Sequence, residues 1–458
     1  MKQLLLVAML GLSLSAKAAV GIGPISQPDN GSNSAGCIPA SEMTQIAKDF
    51  TQFSNLSGKE FCNDNSQTAY LLAGIEFIRK VQFTQPMTNS ADQLFKNNFS
   101  GDWNKYLTNL IHTFQIEQSC PVGVIAFVYG FFHQNTMHVC PAALTNAFTP
   151  LDLASVFMHE ARHIEGYPHT TCSQGPRAGL NGACDSKISD TGSYDVTVET
   201  YAQLGQYGKD INPAYRALAQ ASSFIYAAEA FQTPVQINKD EAFLALNTDR
   251  EMYQIDSGLK AATKIGATAN FGHIAKSKMG LILIPEDKNL PMSRVFITGE
   301  TTPIAGEYND NAATRGNVVD YYFAWTWNAR IEKNKVQFFC DKRQNPTQSV
   351  VVQLGAGEAL SVVYPEGYTP EKNYAYVTTT KGTVKISCEG STGQIVAANN
   401  VTVDTDLKRV HKAGSTMLGL TNDGQLLNLS ANSKRVDLGL GTVVDVTSFT
   451  RATFFDKK

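Results

Sequence analysis

Apolar residues recur at helical spacing in three early stretches, about 40–55, 66–83 (Tyr70, Leu71, Ile75, Phe77, Ile78) and 103–116 (Trp103, Leu107, Leu110, Ile111, Phe114). Each stretch predicts a helix. The texture then changes. VGVIAFVYGFF (122–132) and TMHVC (136–140) are short runs rich in β-branched and aromatic residues, and they predict paired strands. TPLDLASVFMHEARHIEG (149–166) returns to the helical period with both ends marked. Thr149 suits the N-cap, Pro150 the first helical position, Asp152 the reciprocal capping position and Gly166 a left-handed stop. Leu153, Val156, Phe157 and Ile164 form its apolar stripe. Two further helices are expected at about 193–207 and 213–231, the second opening at Pro213.

From about residue 234 the pattern alternates as strands do. FLALNTDREMYQI (243–255) aligns without gaps on MLGLTNDGQLLNL (417–429), apolar against apolar. Weaker echoes are MGLILIPEDKNLPMSRV (279–295), FAWTWNARIEKNKVQFF (323–339) and YAYVTTTKGTVKIS (374–387). Each unit reads strand, polar turn, strand, at a spacing of roughly 40 to 50 residues that suits a propeller blade. Five units over 234–458 predict a five-bladed β-propeller, and two small sandwiches with similar hairpins are the alternative. Cys340 and Cys388 count against the propeller. They occupy equivalent positions of adjacent units, often too far apart for a bond that needs Cα atoms within about 7 Å.

Composition narrows the class. The chain has 458 residues, 43% of them hydrophobic and 17% charged, with a formal net charge of −3. That is a globular protein long enough for two or three domains, and its near-neutral charge gives no reason to expect nucleic-acid binding. Lys2, the apolar run Leu4–Leu14 and Ala16-Lys17-Ala18 predict a cleaved signal peptide over 1–18. The run is too short to span a bilayer, so no stable membrane anchor is expected. Residues 19–36, rich in Gly, Ser, Asn and Pro, read as a flexible leader. The eight cysteines all follow the predicted cleavage point, and an even count in an exported chain favours disulfides in a periplasmic or secreted protein. Nearest-neighbour pairing gives 37–62, 120–140, 172–184 and 340–388, with Cys172 as a zinc ligand the alternative for one of them.

The candidate chemistry lies in HEARH (159–163). Two histidines four apart share one helix face, so both imidazoles reach one ion, and Glu160 beside the first can take a proton from the ion's water. Past the helix, Gly166 can reverse the chain, Pro168 prevents the helix from resuming, and His169 can approach the open side of the ion. Three protein ligands plus water make a catalytic zinc site.

HEARHIEGYPH (159–169) fits HExxHxxGxxH and so resembles the long zinc motif of the metzincin metallopeptidases. The match covers eleven residues. The resemblance implies Zn²⁺ held by His159, His163 and His169, with Glu160 as general base. No Met lies between His169 and Met252 to form the methionine turn of that family, so the resemblance extends to a zincin-like domain with the long motif. GSYDVTVETYAQL (192–204) offers a second third ligand. Glu199 there is similar to the glutamate of the gluzincin branch, which would leave His169 as a substrate-binding or surface residue. Tyr194 could donate to an oxyanion or simply pack in the core, and 136–140, with His138, could form a substrate-binding edge strand. His112, His133, His273 and His411 read as ordinary histidines, and the loop around Asp310 lacks calcium-loop spacing.

The sequence therefore predicts an α+β fold, with a zincin-like catalytic domain over 37–232 and an all-β, propeller-like domain over 234–458. The function expected is that of an exported zinc-dependent metallohydrolase, an endopeptidase acting on protein or peptide substrates. The alternatives are a non-catalytic zinc-containing binding or adhesion protein working through the β domain, and a zinc amidase acting on cell-wall material. The oligomeric state is left open.

Overall fold

The computed structural model describes residues 37–84, 102–121, 124–129, 135–145, 148–174, 177–211, 213–233, 235–267, 271–277, 280–285, 293–295, 301–303, 318–323, 327–340, 349–355, 357–363, 374–399 and 406–453, with Leu94, Asn98 and Phe455. The expected signal peptide (1–18) and leader (19–36), His133 and the Asp310 loop lie outside these residues. The chain is mixed α and β and divides into two compact units, Met1–Ile237 with Phe455–Lys458, and Asn238–Phe454. All four expected disulfides form, so Cys172 is bonded to Cys184 and is not a metal ligand. They fit an extracellular or periplasmic protein. Among the described residues, no helix is long and apolar enough to cross a membrane.

The first unit contains α1 (Ala40–Asp49), α2 (Gln67–Lys80), α3 (Trp103–Leu110), α4 (Pro150–Ile164), α5 (Ser193–Tyr207) and α6 (Pro213–Glu229). Its strands are β1 (Cys37–Ile38), paired with β2 (Phe61–Cys62), and a sheet of β3 (Thr113–Ile116), β4 (Ala126–Val128) and β5 (Thr136–Val139). The helix expected over 103–116 stops at Leu110, because Thr113–Ile116 pairs in parallel with Thr136–Val139. Strand pairing there satisfies backbone groups that a further helical turn would have used. The sheet order is β3-β5-β4, so β5 is the central strand and not the substrate-binding edge proposed for 136–140.

Helix α4 is the axis of this unit. Thr149 and Asp152 form the expected capping box, and the helix is buried from Leu151 to Ile164. It lies close to α2 because Gly74 carries no side chain. A Cβ there would meet Leu153 Cβ and Phe157 Cε2 at 2.8 Å. Phe157 also packs against Phe114 of β3, with ring centroids 5.0 Å apart.

The second unit is propeller-like, its described residues forming five four-stranded antiparallel sheets. Its closing sheet joins both ends of the unit, pairing β25 (Val443–Ala452) with β6 (Lys239–Asn247), then β7 (Glu251–Asp256) and β8 (Ala262–Ala267). The next sheet runs β9 (Phe271–Ser277), β10 (Gly280–Pro285), β11 (Ser293–Val295) and β12 (Thr301–Pro303). The third runs β13 (Val318–Phe323), β14 (Asn328–Glu332), β15 (Lys335–Phe339) and β16 (Val350–Gln353). The fourth runs β17 (Ala359–Val363), β18 (Tyr374–Thr379), β19 (Gly382–Glu389) and β20 (Thr392–Asn399). The fifth runs β21 (Leu407–Ala413), β22 (Thr416–Thr421), β23 (Leu426–Asn428) and β24 (Lys434–Val436). Each hairpin of the sequence repeat supplies the second and third strands of one sheet.

The first strands touch in a closed circuit, β9 to β13, β17, β21, β25 and back to β9. Each carries the same register irregularity, and the residue that follows it is polar: His273, Asp320, Ser361, Arg409 or Asp445. Arg409 reaches all four other sheets. Its guanidinium donates to Asp445 Oδ1 (2.8 Å), Ile274 O (3.1 Å), Leu360 O (3.4 Å) and Val319 O. Burial works against ionising Asp445, but Arg409 and His273 more than offset it and hold the carboxyl well below its ordinary range. Cys340 and Cys388 come from neighbouring sheets with Cα atoms 5.5 Å apart. The two sheets approach closely here. A Cβ on Gly393 of β20 would fall 2.2 Å from Phe338 of β15, so a bare glycine admits the ring.

Arg409→Met should destabilise the second unit by about 3–5 kcal/mol in denaturant unfolding, because the buried Asp445 loses its guanidinium and keeps only His273 and the Ile274 N–H. Arg409→Met combined with Asp445→Leu should recover part of that loss.

Candidate metal centre

His159 and His163 stand one turn apart on α4, and the backbone then reverses at Gly166, which takes φ +89°. That left-handed conformation disfavours any residue with a Cβ. The returning chain delivers His169, and Thr170 pairs with Cys184 in a short antiparallel bridge. His169 Nε2 lies 3.0 Å from His159 Nε2 and 3.2 Å from His163 Nε2. All three rings are buried. Together they form a group close enough to hold one metal ion.

The outer nitrogens fix the state of the inner ones. His163 Nδ1 donates to Tyr167 O (2.6 Å) and His169 Nδ1 to the Asp185 carboxylate (2.8 Å), and both of these partners only accept. His159 Nδ1 lies 2.8 Å from Thr197 Oγ1, whose own proton goes to Ser193 O (3.2 Å), so Thr197 accepts. A neutral ring with its hydrogen on Nδ1 presents a bare lone pair at Nε2. Burial, followed by the neighbouring imidazoles, pushes the pKa values of His159 and His163 well below 6.5, which keeps those two rings neutral. Nε2 lone pairs that face one another at this range repel unless a proton or a metal cation lies between them. Nitrogens bound at 2.0–2.1 Å to a tetrahedral Zn²⁺ sit roughly 3.3 Å apart, close to the spacings found. The donor set fits zinc.

The first turns of α5 serve all three histidines. Ser193 Oγ lies 3.1 Å from His163 Nδ1, Thr197 holds His159, and the Tyr194 ring packs against His159 and His169 with centroids 5.0 and 4.5 Å away. Tyr194 thus lies in the wall of the centre, buried beside Arg177. Glu160 is buried next to His159, and its Oε1 has no hydrogen-bond partner. Burial raises its pKa well above 4.5.

The other candidates lie elsewhere. Glu199 is buried on α5 but is not one of the grouped ligands; its Oε2 accepts from the Asn98 backbone N–H (3.1 Å) and side-chain amide (2.6 Å). His138 faces Glu117 (2.6 Å) and stacks on Phe127, and His273 belongs to the Arg409 cluster. His411 is buried in β21, and His112 is exposed. Asp185, Gly192, Ser193 and Thr197 were not singled out from the sequence. The only hints were the placing of Asp185 directly after Cys184 and the four-residue spacing of Ser193 and Thr197 on a predicted helix.

No family model and no curated protein matches the chain. Among solved structures it is similar to a candidate 6-phosphogluconolactonase from Bacteroides uniformis, at 11% identity over 41% of this chain and 64% of that one, with a TM-score of 0.25. It is also similar to AztD from Citrobacter koseri, at 12% identity over 48% of this chain and 61% of that one, with a TM-score of 0.23. A protein of unknown function from Bacteroides caccae matches at 11% identity over 46% of this chain and 99% of that one, with a TM-score of 0.26. The chain thus spans less than two thirds of the first two. At these TM-scores the likenesses carry no function across.

The buried imidazoles make stability depend on pH. His159 and His163 have folded pKa values below the ordinary 6.5, so on acidification the unfolded chain takes up protons that the folded chain refuses. Their contribution is present above about pH 6.5 and is lost as pH falls below it. Glu160, raised above 4.5, acts with the opposite sign, but it is one group against two. The urea midpoint of the metal-free protein should therefore fall between about pH 7 and pH 5.5.

Proposed function

We propose that the chain is an exported zinc-dependent metallohydrolase of the zincin-like class, acting as an endopeptidase on protein or peptide substrates. The observation that carries this reading is the convergence of three Nε2 atoms, each ring held from its far side, on a helix whose residue after His159 is a buried glutamate with an unpartnered Oε1. In this reading His159, His163 and His169 hold Zn²⁺ and Glu160 is the general base. Zinc, when bound, lowers the pKa of a water to near 7 and polarises a carbonyl. The raised pKa of Glu160 suits a group that takes a proton from water and passes it to a leaving amine. Thr197, Tyr167 O and Asp185 keep the three rings in one tautomer and one orientation. We read the second unit as a five-bladed β-propeller with a role in recognising substrate or surface, supported by the closed circuit of first strands.

The test is to express the chain, measure bound zinc, and assay cleavage of a generic protein substrate with and without chelator. Glu160→Gln should keep the metal and lose about 10²–10⁴-fold in rate. Undiminished cleavage in Glu160→Gln would sink the mechanism.

A further inference from the structure

We propose that Asp185 is a positioning residue of the metal centre, fixing the ring of His169 and strengthening it as a ligand. The inference rests on reading the three imidazoles as a metal site. His159 and His163 are held by the backbone of α4, whereas His169 lies in a loop and needs another means of orientation. Asp185 supplies it with both carboxylate oxygens. Oδ1 accepts from His169 Nδ1 (2.8 Å), and Oδ2 accepts from the backbone N–H of Tyr194 at the start of α5 (2.7 Å). A carboxylate fixed at both oxygens cannot swing away from the ring.

Two further observations make the contact a built one. Gly192 sits against Asp185, and a Cβ there would meet Oδ2 at 2.4 Å and Cγ at 2.8 Å. Its φ is −78°, which any residue tolerates, so the glycine serves the close approach and not the backbone. The two partners are also tied together through the main chain. Thr170 follows His169, Cys184 precedes Asp185, and these two neighbours exchange backbone hydrogen bonds of 2.7 and 3.2 Å. The Cys172–Cys184 disulfide closes the same loop. On its other side Asp185 is held by Ala230 O (3.0 Å) and the Gln232 N–H (2.9 Å).

Asp185 also differs in kind from the other outer partners. His159 faces a hydroxyl and His163 a carbonyl, so His169 alone faces a carboxylate. A carboxylate accepting from the far nitrogen of a ligating imidazole raises its basicity, and loss of such a partner typically costs about 10–100-fold in metal affinity.

The test is a zinc competition titration against a chromogenic chelator, with fold checked by circular dichroism and thermal unfolding. Asp185→Ala should bind zinc about 10–100-fold more weakly than the wild type. Asp185→Asn keeps one acceptor but sets an amide donor against either the His169 or the Tyr194 N–H, so it should fall between the two. Thr197→Val, which removes a neutral partner, should lose less than Asp185→Ala. Gly192→Ala keeps the charge and displaces it, and should weaken zinc in the same direction even where the Asp185 variants fail to fold. Affinities of folded Asp185→Ala and Gly192→Ala within about twofold of the wild type would overturn the proposal. A wild type that binds no zinc, or binds it equally well as His163→Ala, overturns the metal site itself. Zinc lost in His163→Ala but unchanged in the Asp185 and Gly192 variants overturns the role of Asp185 alone.

Discussion

Imidazoles packed with their Nε2 atoms face to face are a liability in a protein interior, and much of the first unit is arranged to hold three of them in that orientation. Helix α4 is buried from Leu151 to Ile164, which fixes two rings. The opening turns of α5 supply a hydroxyl, a second hydroxyl and an aromatic wall. The bridged loop brings the third ring with its own carboxylate. Each of these parts points an Nδ1 outward. An arrangement that served packing alone would let one ring turn and bond its neighbour, so the shared orientation is what gives the centre its character.

The same elements show how far a sequence can be read. The capping residues Thr149 and Asp152, the stop at Gly166 and the stacking of His159 on His163 are local matters, set within a few residues, and they were legible. The five hairpins were legible too, because strand, turn and strand are adjacent in the chain. Thr113–Ile116 was misread because its apolar spacing continues that of α3, and only the distant partner Thr136–Val139 decides that it is a strand. Asp185 and Gly192 were invisible for a related reason. Their meaning is a contact across the loop, and a bare aspartate or glycine looks like any turn residue.

The Cys340–Cys388 pair shows a sound general argument defeated by one local fit. Equivalent positions of adjacent sheets diverge toward the outside in a regular radial arrangement. Here Phe338 lies over the bare backbone of Gly393 and the outer strands draw together, so the cysteines come within bonding reach. At the inner end Arg409 does the opposite work with charge, joining five sheets through one planar fork whose donors are shared out among carbonyls and a carboxylate. A lysine has neither the number of donors nor the fixed spread to do this.

The pairing of β25 with β6 places the last strand of the second unit beside its first, across nearly the whole of that unit. Its closing sheet is therefore completed only by a strand from the far end of the unit. A nascent chain can make hairpins one by one as they emerge, but β6 waits with one edge uncovered until Val443–Ala452 has been synthesised. Until then the unit is an open arc with unpaired backbone groups and exposed apolar faces. Truncations that remove only these residues would thus act on the entire circle, because they take away both the partner of β6 and one of the five first strands.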